Sequence, residues 1–200
     1  MGWTVSDIAG AVGRAHTEMG RLEQELNAAD AKLGDGDTGG MLKRVLDRMA
    51  ALDLSGVEDA GSALSQLARA AAAATGSSLG TLLATALLTM SRELKGQAEV
   101  DPSSLDGLLA GARDAMMARG KAELGDKTVL DSIEAVIVAL RSHGGGDVGP
   151  VVIGAARDAL DQYRDRTNKR GRARMFGDAT VGMDDPGMLA FKELVEAMAR

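Results

Sequence analysis

A chain of 200 residues with one tryptophan, one tyrosine and two phenylalanines cannot organise its core around aromatic rings. The core must be filled by Ala, Leu, Val, Ile and the 11 Met. Such side chains suit closely packed helices, whereas a β-sandwich draws on β-branched and aromatic residues. The patterning agrees. From about residue 4 to 31, Val5, Ile8, Val12, Met19, Leu22 and Leu26 recur at three- and four-residue steps, an amphipathic helical stripe that Thr4 or Ser6 can cap. Residues 41–52, 57–74, 79–94, 103–117, 128–140, 151–167 and 186–198 read as further helices, and 79–94 is apolar enough to predict full burial. Pro102, Pro150 and Pro186 fall where the periodicity breaks, each placed to open a helix. No segment alternates long enough to read as a strand, and no linker interrupts the chain. The expectation is an all-α fold: one domain over residues 1–200, a bundle or barrel of about eight antiparallel amphipathic helices.

A net charge of −6 argues against nucleic acid as a partner, because that affinity rests on neutralising phosphates with a basic surface. The absence of cysteine removes disulfides, thiolate zinc sites and a cysteine nucleophile together. There is no signal-peptide pattern, and no apolar stretch is long enough for a membrane span. The expected location is cytoplasmic.

The segment 27–40, Asn-Ala-Ala-Asp-Ala-Lys-Leu-Gly-Asp-Gly-Asp-Thr-Gly-Gly, carries the most chemistry. Asp30 falls in the last turn of the first helix, where the dipole is already negative and a carboxylate is unfavourable. Asp35 and Asp37 follow within a glycine-rich turn that can bring the three together. Close carboxylates repel unless a cation sits among them, and an all-oxygen set suits Mg²⁺ or Ca²⁺. An EF-hand is excluded: counted from Asp35, the twelfth position is Leu46 rather than Glu. The competing reading is a solvated Asp/Gly turn.

Three further segments are candidates. Gly76-Ser77-Ser78 lies between two apolar helices, where free amides and small hydroxyls make a phosphate cradle or a simple helix break. It is not a P-loop, since no Gly-Lys-Ser/Thr follows. Gly120 and the polar run Gly125-Asp126-Lys127-Thr128 precede a helix that Asp126 or Thr128 can cap. Residues 164–174 hold six basic side chains in an acidic protein, and Arg172, between Gly171 and Ala173, has the freest approach to a ligand. In Asp185-Pro186-Gly187, Asp185 is a helix N-cap with proline at the first helical position.

Taken together, these segments resemble the L, or nucleotide-binding, subunit of the dihydroxyacetone kinase family. The match runs in the family's order from Asp30 and Leu33-Gly34-Asp35-Gly36-Asp37, through Gly76-Ser77-Ser78 and Gly125-Asp126-Lys127-Thr128, to Gly171-Arg172-Ala173, Gly182 and Asp185-Pro186-Gly187. It covers essentially the whole chain. The resemblance implies a barrel of eight helices with ADP or ATP at one end and two Mg²⁺ held by Asp30, Asp35 and Asp37. It implies no nucleophile on this chain. Thr38, Ser77 and Ser78 would position the phosphoryl group, and Gly76, Gly120, Asp126, Thr128, Arg172, Asp185, Pro186 and Gly187 would border the nucleotide. It also implies a partner K subunit that holds the ketose. The phosphoryl source is either free ATP or a phosphotransferase-system subunit acting on bound ADP, and a homodimer stays open. Two residues depart from the family pattern. Thr38 stands where a histidine is usual, as in the related domain of fatty acid kinases, and Met183 stands where another histidine is usual. Both bear on the acceptor: another ketose or an acyl partner, or a module that senses ADP and ATP without catalysis, are the alternatives.

Overall fold

The computed structural model describes residues 2–200, and eight α-helices account for most of them. The chain begins with a two-residue strand β1 (Trp3–Thr4). It continues through α1 (Val5–Asp30), α2 (Thr38–Ala50), α3 (Ala60–Ala74) and α4 (Ser78–Glu93) to a second short strand β2 (Glu99–Val100). A 3₁₀ turn (Pro102–Ser104) leads into α5 (Leu105–Gly120), followed by α6 (Val129–Ser142) and α7 (Gly149–Arg164). A second 3₁₀ segment (Ala173–Thr180) precedes α8 (Pro186–Ala199).

Each helix packs on the next, and α8 returns to pack on α1, so the ring closes. Short connections between sequential neighbours make them antiparallel. The apolar core follows the seams: one cluster joins α1 to α4 around Met19, Leu22, Leu26, Val45 and Leu67, a second joins α5 to α6 around Met116 and Ile137, and a third joins α7 to α8 around Leu160 and Met188.

Local chemistry sets the boundaries. Thr4 caps α1 in a reciprocal box with Asp7, and Thr128 caps α6 in the same way with Asp131. Asp185 caps α8 ahead of Pro186. Several bounds depart from the sequence expectation. Helix α2 starts at Thr38, not residue 41, because Gly39 and Gly40 are helical. At Gly39 α1 and α2 come so close that a β-carbon would fall onto the backbone oxygen of Glu23. Helix α3 starts at Ala60, later than the pattern predicted, with Asp59 as its N-cap. The expected full burial of α4 does not hold. Only Gly80, Ala84 and Ser91 are buried, because Leu79, Thr81 and Leu82 face a cavity and Leu88 faces outward. The two strands pair antiparallel, Trp3 opposite Val100, and are too short to leave a sequence pattern.

In an up-and-down ring, one end collects the C-termini of α1, α3, α5 and α7 and the N-termini of α2, α4, α6 and α8. The four connections at that end span residues 31–37, 75–77, 121–128 and 165–185. Every candidate site residue lies in one of them or in the turns that flank them. Among the described residues, no helix is long and apolar enough to cross a membrane.

Candidate functional site: a polyanion cavity at the barrel end

The first turn of an α-helix carries about half a positive charge, so four such ends pointing to one place favour anions. They open here on a cavity of about 1020 Å³. Its lining draws on all four connections. Asp30, Asp35, Asp37 and Thr38 come from the first, Gly76, Ser77 and Ser78 from the second, Gly120 and Thr128 from the third, and Arg172, Asp185, Pro186 and Gly187 from the fourth.

At the first corner, α1 supplies the cap that α2 lacks. Asp37, the N-cap of α2, makes no side-chain cap bond. Instead, the amides of Asp37 and Thr38 donate to Asp30 Oδ2 at 2.9 and 3.3 Å. Those of Gly39 and Gly40 donate to Asn27 Oδ1 at 2.8 and 3.1 Å. Buried Asp30 is thus fixed against the loop, while Asp35 and Asp37 are exposed. Gly36, at φ 75°, turns the loop through the left-handed region. One oxygen from each carboxylate lies within 4.8 Å of the others, a spacing that a hard divalent cation can bridge. Arg172 forms an ion pair with Asp35 and supplies positive charge to the cluster from across the cavity.

At the second corner, Ser77 caps α4 by accepting from the Gly80 amide at 3.0 Å, and Thr75 Oγ1 accepts from the Ser77 amide at 3.0 Å. The backbone at Ser78 and Leu79 then starts the helix at the cavity wall. At the third, Asp131 Oδ2 accepts from the Thr128 amide at 2.8 Å, and Oδ1 accepts from the Gly125 amide. Asp126 does not line the cavity, unlike the expectation. It accepts from the Glu123 amide and pairs with Arg170 at 3.0 Å, so it orients an arginine that does line it. At the fourth corner, Asp185 accepts from the Met188 amide at 2.9 Å and from Asn168 Nδ2 at 2.8 Å. Burial raises its pKa to about 6 against these hydrogen bonds and the nearby Lys127 charge, which lower it.

The sequence reading missed Arg44, Arg119, Arg170 and Arg174, which also line the cavity. Arg44 and Arg119 sit on helices with no distinguishing motif, so only the ring closure brings them in. Arg170 and Arg174 lay in the basic run but were not singled out.

The fold and site together define a closed helical barrel whose one end gathers three carboxylates and five arginines around a cavity. The chain belongs to the DAK2 domain family, whose model matches residues 32–200. It is 33% identical over 183 residues to the L-erythrulose 1-kinase of Mycolicibacterium smegmatis, covering 88% of this chain and 32% of that protein. It is 29% identical to the ADP-binding subunit of a PEP-dependent dihydroxyacetone kinase of Listeria innocua, covering 88% of this chain and 86% of that subunit. The chain therefore spans about a third of the erythrulose kinase but most of the separate subunit. The fold also matches the dihydroxyacetone kinase of C. freundii solved with AMP-PNP and Mg²⁺. That match has a TM-score of 0.74 and 23% identity, and covers all of this chain and 34% of that one. That structural match agrees with the all-α bundle or barrel expected from the sequence.

Proposed function

We propose that this chain is the Mg-nucleotide-binding, phosphoryl-donating subunit of a dihydroxyacetone-type kinase, serving a ketose held on a separate K-type subunit. The observation that carries this reading is the placement of the Asp30, Asp35 and Asp37 carboxylates in one cavity with four helix N-termini. Phosphoryl transfer requires positioning and charge neutralisation rather than a covalent residue, and this cavity is built for both.

In this reading Asp30, Asp35 and Asp37 hold Mg²⁺, two ions in the finer expectation, and bound Mg²⁺ supplies charge neutralisation on the transferring phosphate. The start of α4 and the residues Ser77, Ser78 and Thr38, all in the cavity wall, would hold the phosphates. Arg172, paired with Asp35 here, would be available to phosphate where a cation took over that carboxylate. Gly120, Thr128, Pro186 and Gly187 border the nucleoside, and Asp126 acts through Arg170.

The acceptor arrives from outside. Met175 and Phe176, 81% and 44% exposed, stand on the 3₁₀ segment beside the mouth, an apolar rim for a protein partner. The similarity to two erythrulose kinases motivates a four-carbon ketose as the alternative acceptor. The test supplies ATP, Mg²⁺ and a K-type partner subunit loaded with dihydroxyacetone or with erythrulose. Ketose phosphate in either reaction supports the proposal and names the acceptor. Nucleotide binding without transfer to any partner points to a sensing module. ADP that co-purifies with the chain favours rephosphorylation by a phosphotransferase-system subunit over free ATP.

A further inference from the structure

We propose that Lys127 is a positioning residue whose buried ammonium closes the neck of the 165–181 loop and thereby holds Arg170 and Arg172 at the phosphate end of the cavity. This rests on the nucleotide reading above and adds a part to it.

Lys127 is fully buried, the largest such side chain in the protein, and its backbone adopts φ 60°. A buried lysine without a direct carboxylate partner is rare and needs a reason. Here Nζ donates to three backbone oxygens: Arg164 at 3.0 Å, Arg166 at 2.8 Å and Thr180 at 2.8 Å. Three acceptors around one nitrogen require three N–H groups, which only the ammonium has. Burial opposes that charge, while Asp185, Asp184 and Asp165 favour it.

The three oxygens are not neighbours in sequence. Arg164 ends α7, and Thr180 ends the 3₁₀ segment, so the ammonium joins the two ends of one loop. Other bonds run across the same neck. The Asn168 amide donates to Thr180 Oγ1 at 2.9 Å, and the Gly182 amide donates to Arg164 O at 2.9 Å. Asn168 Nδ2 donates both to Lys127 O at 2.9 Å and to Asp185 Oδ2 at 2.8 Å. A surface loop with adjoining ends is an Ω-loop. Its neck is buried at Asn168 and Thr180, while its far part carries Arg170, Arg172 and Arg174 into the cavity lining. Removing the ammonium leaves Arg166 O without a donor and Arg164 O and Thr180 O with one backbone amide each, those of Gly182 and Met183, and the loop loses the clasp that fixes its ends. The arginines then spend less time in the binding arrangement, and apparent affinity falls by that fraction.

The experiment compares the full chain with Lys127→Met by hydrogen exchange and by calorimetry with ADP and Mg²⁺. The expected result is exchange faster by at least about tenfold confined to residues 166–182, with helix protection kept and Mg-ADP affinity about tenfold weaker. Because the chain has no cysteine, Lys127→Cys can be alkylated with 2-bromoethylamine while unfolded and then refolded. The resulting thioether ammonium is expected to restore loop protection and affinity. Mg-ADP affinity in Lys127→Met within about twofold of the parent, or protection lost evenly through all the helices, overturns the proposal. If Lys127→Met does not fold, Asn168→Ala takes its place: loop-confined exchange supports the clasp, and unchanged exchange overturns it. A parent chain that binds no Mg-ADP overturns the functional reading instead, and the exchange comparison still decides the clasp.

Discussion

Asn27 has no catalytic chemistry, yet the Asp loop depends on it. Its Oδ1 accepts from the Gly39 and Gly40 amides, and Asp30 takes those of Asp37 and Thr38. Together the two α1 side chains satisfy all four amides at the start of α2. Asn27→Ala orphans two of them at a position where Gly39 is buried and the α1 backbone leaves little room for water. Loss of a helix cap costs about 0.5–2 kcal/mol, and two amides place this site in the upper half, about 1–2 kcal/mol. For a chain of this length that lowers the melting temperature by roughly 2–8 °C. Asn27→Asp keeps the acceptor; its added charge is favoured by the α2 dipole and repelled by Asp30, so at least half of the loss should return. Urea denaturation of the three proteins measures this. Asn27→Ala within about 0.5 kcal/mol of the parent, or Asn27→Asp as unstable as Asn27→Ala, refutes the capping argument.

Gly39→Ala places a methyl group against the Glu23 backbone oxygen, which cannot swing aside, and should cost about 1–3 kcal/mol in a chemical denaturation curve. For Asp185, a native pKa of about 6 against the ordinary 3.8 means that the folded state keeps a proton the unfolded state has released between those values. Its contribution to stability is therefore full below pH 3.8 and lost as pH rises through 6, a change of about 3 kcal/mol. Asp185→Asn, which retains a capping oxygen, should flatten the pH dependence of urea midpoints between pH 4 and 7. Replacing Phe176, which lies outside the cavity lining, by Ser should leave Mg-ADP affinity unchanged in calorimetry but lower the rate of phosphoryl transfer to the K-type partner.

The eight helices were legible because the apolar stripes repeat at helical steps; Asp185 was legible as a cap, while Thr4 and Thr128 were each one of two candidates that the structure decides between. The boundary of α2 was not. Gly39-Gly40 reads as loop until the α1 backbone is beside it, and then glycine is what the contact requires. Asp59 carries no sequence signal of its own, because its capping role depends on where α3 begins. The 3₁₀ segment has no period to detect, and α4 was expected to be buried because an apolar helix beside a cavity has the same composition as one in a core. At the site, residues grouped in short loops were visible as motifs. Arg44 and Arg119, brought in by ring closure, were not. Lys127 lay inside a noted motif, but nothing in its neighbours indicates that its side chain turns inward to three carbonyls.

The most direct test of the central claim is calorimetric titration of the parent chain and of Asp37→Asn with ADP, each with Mg²⁺ and with EDTA. Expected are Mg²⁺-dependent binding by the parent and a loss of at least about a hundredfold, near 2.7 kcal/mol, in Asp37→Asn with the helical circular dichroism unchanged. Equal affinity in the two proteins, or binding that EDTA does not weaken, would contradict it.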